Sequence, residues 1–144
     1  LEYFRMGAAG VQMGTRFVAT DECDAAPAFK QAYVCARPED LIIIDSPVGM
    51  PGRAIRNEYL DAVEAGAKTP FRCPYHCITS CDFKNSPYCI AHALISAQRG
   101  RFKGGFAFAG ANAYRVTEIV PVRELIASLM AEYGEALTKV PAAV

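Results

Sequence analysis

The 144 residues carry 15 Lys+Arg against 15 Asp+Glu, a formal net charge of zero, with 52% hydrophobic and 21% charged residues. Such a chain is too apolar to be disordered, and its balanced charge excludes bulk electrostatic attraction to nucleic acid or to an anionic membrane surface. The longest aliphatic run, Leu41-Ile42-Ile43-Ile44, is far short of a membrane span, so neither a nucleic-acid nor a membrane partner is expected.

Leu1 to Gly7 reads as the end of a helix already under way, stopped at a glycine. Because Leu1 is not an initiator methionine, we expect a fragment whose N-terminal part lies upstream. Val11 to Val18 reads as a short buried strand with a glycine, Gly14, at its end. Asp24 and Pro27 mark a helix start, and Pro38 marks its stop. Leu41 to Ile44 is β-branched and apolar on both faces, which predicts a buried strand. The two Pro and two Gly between Ser46 and Gly52 predict a loop. Asn57 to Ala65 predicts a short helix, and Tyr88 to Arg99 a longer one with Ile90, Ala91, Leu94 and Ile95 on one side. Gly100 to Gly110 is a Gly- and Phe-rich loop. From Pro121 to Leu137 the residues Leu125, Ile126, Leu129, Met130, Tyr133 and Leu137 form an amphipathic stripe. The tail from Val140 is expected to fray. Arg72, Lys84, Arg99, Arg101 and Lys103 against the single acid Asp82 make residues 71–105 basic, and a solvated surface is favoured over a nucleic-acid stripe for want of regularly spaced aromatics.

The chemistry concentrates in two places. Gln12-Met13-Gly14-Thr15 offers a bare glycine, which lets an anion approach the backbone, beside a hydroxyl. On chemistry alone a phosphate-holding loop and an ordinary turn are equally good readings. Arg53 and Arg56, close to Gly49 and Gly52, could clamp a phosphate, though ion pairs that fix the loop are the favoured role. The second place is Cys73, Cys77, Cys81 and Cys89, a C-x3-C-x3-C-x7-C pattern, with His76 available to replace one thiolate. Zinc, an iron–sulfur cluster, reduced structural thiols and disulfides all stay open there. Cys23 and Cys35 read as small packing residues. With no secretion signal opening the chain, a reducing cytoplasm is the expected compartment.

Gly7-Ala8-Ala9-Gly10-Val11-Gln12-Met13-Gly14-Thr15-Arg16-Phe17 resembles the last-strand motif of the nitronate monooxygenases and the related FMN-dependent enoyl-acyl-carrier-protein reductases. The similarity continues through Pro27-Ala28-Phe29-Lys30, Gly52-Arg53-Ala54-Ile55-Arg56-Asn57, Gly104-Gly105 and Ala109-Gly110. It implies an α/β fold, the C-terminal part of a TIM (β/α)8 barrel followed by a mostly helical, Cys-containing extension. Residues 1–57 would then hold the last barrel strand, its helix and a capping loop, and 58–144 the helical extension with its Cys-rich insertion. The resemblance also implies FMN as cofactor, with its phosphate held by Gln12, Met13, Gly14 and Thr15, and a small-molecule substrate. Ala26 stands where many relatives have His, and Ala111 where many have Gln. The family's catalytic His is expected upstream, and neither His76 nor His92 matches it. The implied activity is oxidation of alkyl nitronates or a similar small anion. A related enoyl reductase, or a non-catalytic Cys-rich metal or electron-transfer module, is the alternative.

Overall fold

The computed structural model describes residues 2–69, 73, 75–79 and 81–139. Arg72 and the tail 140–144 lie outside the described residues. The first helix, α1 (Glu2–Arg5), closes at a glycine as its sequence predicts. Gly7 takes φ 95°, its N–H donates to the Phe4 carbonyl at 3.0 Å, and the Ala8 N–H reaches back to Tyr3 at 2.9 Å. These two bonds satisfy carbonyls that the last helical turn would otherwise leave open.

The strand expected over Val11–Val18 does not form. Thr15–Val18 is a short helix, α2, and Val11 and Met13 are 49% and 44% exposed. A strand exists only through its ladder, and among the described residues no neighbouring strand runs beside this segment. A local bond from the Phe17 N–H to the Gly14 carbonyl, 3.0 Å, takes the ladder's place.

Helix α3 (Pro27–Val34) opens on its proline and ends ahead of Pro38. It buries Tyr33 and the stem of Lys30, whose ammonium donates to the Thr20 and Asp21 carbonyls at 2.6 and 3.1 Å. Strands β1 (Leu41–Asp45) and β2 (Pro51–Ile55) pair antiparallel, Leu41 opposite Ile55 and Asp45 opposite Pro51. The stretch expected as one loop therefore divides, into a turn over 46–50 with Gly49 at φ 84° and the start of β2. The expectation that β1 is buried on both faces also needs correcting. Ile42 and Ile44 face the core, while Ile43 is 61% exposed, because the hairpin has cover on one side only.

The other edge of β2 meets residues 107–109. The Ile55 N–H donates to Ala107 at 3.0 Å, the Ala109 N–H donates to Arg53 at 2.9 Å, and Ala54 bridges to Phe108. Gly52 is required there, since the Phe108 ring occupies the space a Cβ would take. Helix α4 (Glu58–Glu64) is capped by Asn57, whose side-chain oxygen accepts from the Leu60 N–H at 3.0 Å. The amide nitrogen of the same side chain donates to the Gly105 carbonyl at 2.8 Å. Helix α5 (Ile90–Gln98) forms where expected and buries Ala93, Ser96 and Ala97; of its apolar side, Ile90 and Leu94 pack partly buried against the core, while Ile95 is exposed. Glycine is needed at position 105, because a Cβ there would run into the Ala93 backbone carbonyl of α5.

Two apolar clusters result, one around Tyr33, Ile55, Ala107 and Ala113, the other around Leu60, Tyr88, Ala93 and Phe106. Phe106 packs edge-on to Phe108 at 5.1 Å and to Tyr88 at 5.8 Å. Burial pushes the phenols of Tyr33, Tyr59 and Tyr88 up to about 12. Helix α6 (Val122–Thr138) buries Leu125, while Ile126, Met130, Tyr133 and Leu137 of its stripe stay exposed. Tyr133 meets Phe4 of α1 edge-on at 6.0 Å. No helix among the described residues is long and apolar enough to cross a membrane.

Candidate functional site

Two segments far apart in the chain meet at Thr15. Its Oγ1 accepts a hydrogen bond from the Gly110 N–H at 2.8 Å. Accepting that bond leaves the hydroxyl proton free to be donated elsewhere. Gly110 eases the approach, because a Cβ there would stand 3.2 Å from Thr15 Oγ1, a tight contact. Gly14 is bare for a different reason. Its φ of −111° suits any residue, and a Cβ would meet nothing within 4 Å. The missing side chain therefore leaves open space over the backbone. Among the described residues the amides of Gly14, Thr15 and Arg16 donate to no backbone carbonyl.

Gln12, Met13, Gly14 and Thr15, the residues expected to hold a phosphate, line one cavity of about 600 Å³. Arg16 and Arg115 also line it, and Glu132 of α6 contributes a carboxylate. The Arg115 guanidinium lies 5.7 Å from the Tyr114 ring centre, a cation–π contact that orients it. Arg53 lines an adjoining open depression with Gly14, Thr15 and Tyr33. Arg56 does not join them. It pairs with Asp61 at 2.7 Å and Glu64 at 3.7 Å, which is the loop-fixing role. Gly110 stood in the Ala109-Gly110 stretch that carries the family resemblance, but nothing in a linear reading joins it to position 15, and Arg115 had no signal of its own as a site residue.

Neither histidine lines this cavity. His92 is exposed on α5. His76 has φ 44°, its N–H donates to Cys73 Sγ at 3.4 Å, and its ring meets Phe83 edge-on at 6.2 Å. Cys73, Cys77, Cys81 and Cys89, with His76, line a second cavity of about 340 Å³. All four are free thiols. The Cys81 thiol is pushed up by partial loss of water and then by the charges of Cys73, Cys77 and Cys89, against a hydrogen bond with Ser86 that lowers it. Yet among the described residues no three His, Cys, Asp or Glu side chains stand arranged to hold a metal ion, so the expected convergence of the sulfurs on one point is not observed. Cys35, expected to pack as a small apolar residue, is exposed at the end of α3, where its sulfur accepts from Gln31 at 3.2 Å.

The nitronate monooxygenase family model matches residues 2–132, across both cavities. The chain belongs to the nitronate monooxygenase family. It is 38% identical over 55 residues to a probable nitronate monooxygenase of Staphylococcus saprophyticus, covering 38% of this chain and 16% of that protein. It is 37% identical over 62 residues to the (3aS,4S,5R,7aS)-5-hydroxy-7a-methyl-1-oxo-octahydro-1H-indene-4-carboxyl-CoA dehydrogenase of Mycobacterium tuberculosis, 43% of this chain and 18% of that one. In structure it resembles FabK of Thermotoga maritima with a TM-score of 0.73 and 27% identity, covering 94% of this chain and 40% of FabK. The family member thus spans well under half the length of the relatives it matches.

Proposed function

We propose that this chain is the part of an FMN-dependent oxidoreductase of the nitronate monooxygenase type that holds the flavin's phosphate end. The observation that carries this is the Thr15–Gly110 hydrogen bond, which closes a cavity over the bare Gly14 backbone. The residues fit a phosphate. They supply unpaired amides at 14–16, a free hydroxyl proton on Thr15, and the guanidinium groups of Arg16 and Arg115. FMN supplies the redox chemistry when bound, and the chain's own residues supply position and charge. Residues 1–57 would belong to the closing part of a (β/α)8 barrel and 58–144 to its helical extension. The catalytic base would lie in sequence before Glu2.

A second reading, an enoyl-acyl-carrier-protein reductase using FMN, draws on the likeness to FabK. Turnover by the whole protein separates the two: oxygen consumption with an alkyl nitronate supports the first, and nicotinamide-dependent reduction of an enoyl thioester supports the second. A purified whole protein without bound or bindable flavin would overturn both.

A further inference from the structure

Lys30 takes no part in that reading and stands in an unusual place for a lysine. It is 9% exposed, and lysine is almost never buried unless it is paired. Among the described residues no carboxylate pairs with its ammonium. Its partners are two backbone carbonyls, Thr20 at 2.6 Å and Asp21 at 3.1 Å. Burying an ammonium against carbonyls alone is a costly way to fasten a loop. The other side of that loop is fastened without it. The Asp21 N–H donates to the Val120 carbonyl at 3.1 Å, and the Val120 N–H donates to Ala19 at 3.3 Å. The segment thus has a hold on the fold that does not depend on the lysine.

The same segment leads straight back to the cavity. The buried Thr20 hydroxyl donates to the Phe17 carbonyl at 2.8 Å, and the Phe17 N–H donates to the Gly14 carbonyl at 3.0 Å. Lys30, Thr20, Phe17 and Gly14 form one hydrogen-bonded line. It ends on the peptide unit that joins Gly14 to Thr15. That unit is planar and trans, so holding its carbonyl on one side fixes the Thr15 N–H toward the other. Lys30 lines neither the cavity nor the adjoining depression, although Tyr33, one turn along the same face of α3, lines the latter with Gly14 and Thr15. The ammonium therefore sits behind the cradle rather than in it. We propose that Lys30, acting through Thr20 and Phe17, is a positioning residue that aims the Thr15 amide at the phosphate of a flavin mononucleotide, given that residues 12–15 hold that phosphate as proposed above. An amide already aimed binds an anion without first having to be ordered.

The test uses the whole protein, freed of flavin and titrated with FMN and with riboflavin, which lacks only the phosphate. Lys30→Met keeps the buried stem and removes the donors. It should lower the preference for FMN over riboflavin about tenfold, with riboflavin affinity little changed. Thr20→Val breaks the next link and should lower the preference similarly. The double variant should fall no more than about twofold below either single one, because both changes break one line. A lysine that only stabilised the fold would weaken both flavins together, and an unchanged ratio in Lys30→Met overturns the proposal. Full additivity of the two changes overturns it as well. Should Lys30→Met not fold, Lys30→Gln takes its place, with an amide too short to reach both carbonyls. A fall of about threefold is then expected, and no fall overturns the proposal. A wild-type protein that binds FMN no better than riboflavin would remove the phosphate site itself, whereas a preference that survives Lys30→Met removes only the lysine's part in it.

Discussion

Position 14 shows how a single residue can be free in the fold and restricted in the site. A side chain at Gly14 meets no protein atom and needs no unusual backbone angle, so Gly14→Val should fold normally. It would nonetheless stand in the cavity over the amides of 14–16, and the whole protein should lose most of its flavin. Thr15→Ala removes a hydroxyl that both holds Gly110 and can donate to a phosphate, so flavin should be retained roughly tenfold less well, about 1.4 kcal/mol. Thr15→Ser should restore most of it. Flavin content after dialysis, read beside a circular dichroism spectrum, measures all three. Full retention by a folded Gly14→Val protein would place the phosphate elsewhere.

At the scale of elements, the contact between α5 and the 104–105 segment is the least forgiving. Gly105→Ala puts a methyl into the Ala93 carbonyl, and neither backbone can yield without moving Asn57, which donates to Gly105. The cost should be about 1–3 kcal/mol or more, measured as a fall in the urea midpoint. Tyr33 ties α3 to the strand-like segment at 108, its hydroxyl donating to the Phe108 carbonyl at 2.6 Å. Tyr33→Phe leaves that carbonyl without its partner and should cost about 1–3 kcal/mol. The buried phenols also set an alkaline limit. Their folded pKa values are raised above the ordinary 10, so the unfolded chain loses these protons first. Stability should be undiminished by them below pH 10 and should fall as pH rises toward 12. Thermal midpoints across that range, followed together with tyrosinate absorbance, would show it. A midpoint unchanged to pH 12 would mean the three rings are not held neutral by burial.

Across the whole molecule, apolar surface is unevenly covered. Ile126, Met130 and Leu137 on α6 are 48%, 64% and 48% exposed, and Tyr3 and Met6 near α1 are 65% and 76% exposed. Scattered exposed apolar residues are ordinary, but this set lies on adjoining elements and forms a stripe. Produced by itself, the 144-residue chain should therefore self-associate, with a sedimentation mass above the monomer's 15.6 kDa. Replacing Ile126 and Met130 by Lys should shift it toward monomer while keeping helical content. A strictly monomeric wild-type chain at high concentration would show that the stripe is not adhesive.

Much of the chain was legible before its structure. Proline at the first turn of α3, the glycine closing α1 and the stripe on α6 are local signals, set by residues a few positions apart. The 12–15 segment stood out for a bare glycine beside a hydroxyl, but its residue chemistry left a phosphate-holding loop and an ordinary turn equally open. Tertiary structure decided the rest. A strand at Val11–Val18 depends on a ladder partner that the segment's own residues cannot supply, and in this chain the segment turns into α2 instead. The apolar side of α5 places Ile90 and Leu94 against the core, but the close approach of the Gly105 backbone to the Ala93 carbonyl is decided by tertiary contact. The site is likewise completed from a distance, because the Gly110 amide reaches Thr15 only after β2 has paired with residues 107–109. Local propensity sets the elements, and non-local backbone pairing sets which loops meet.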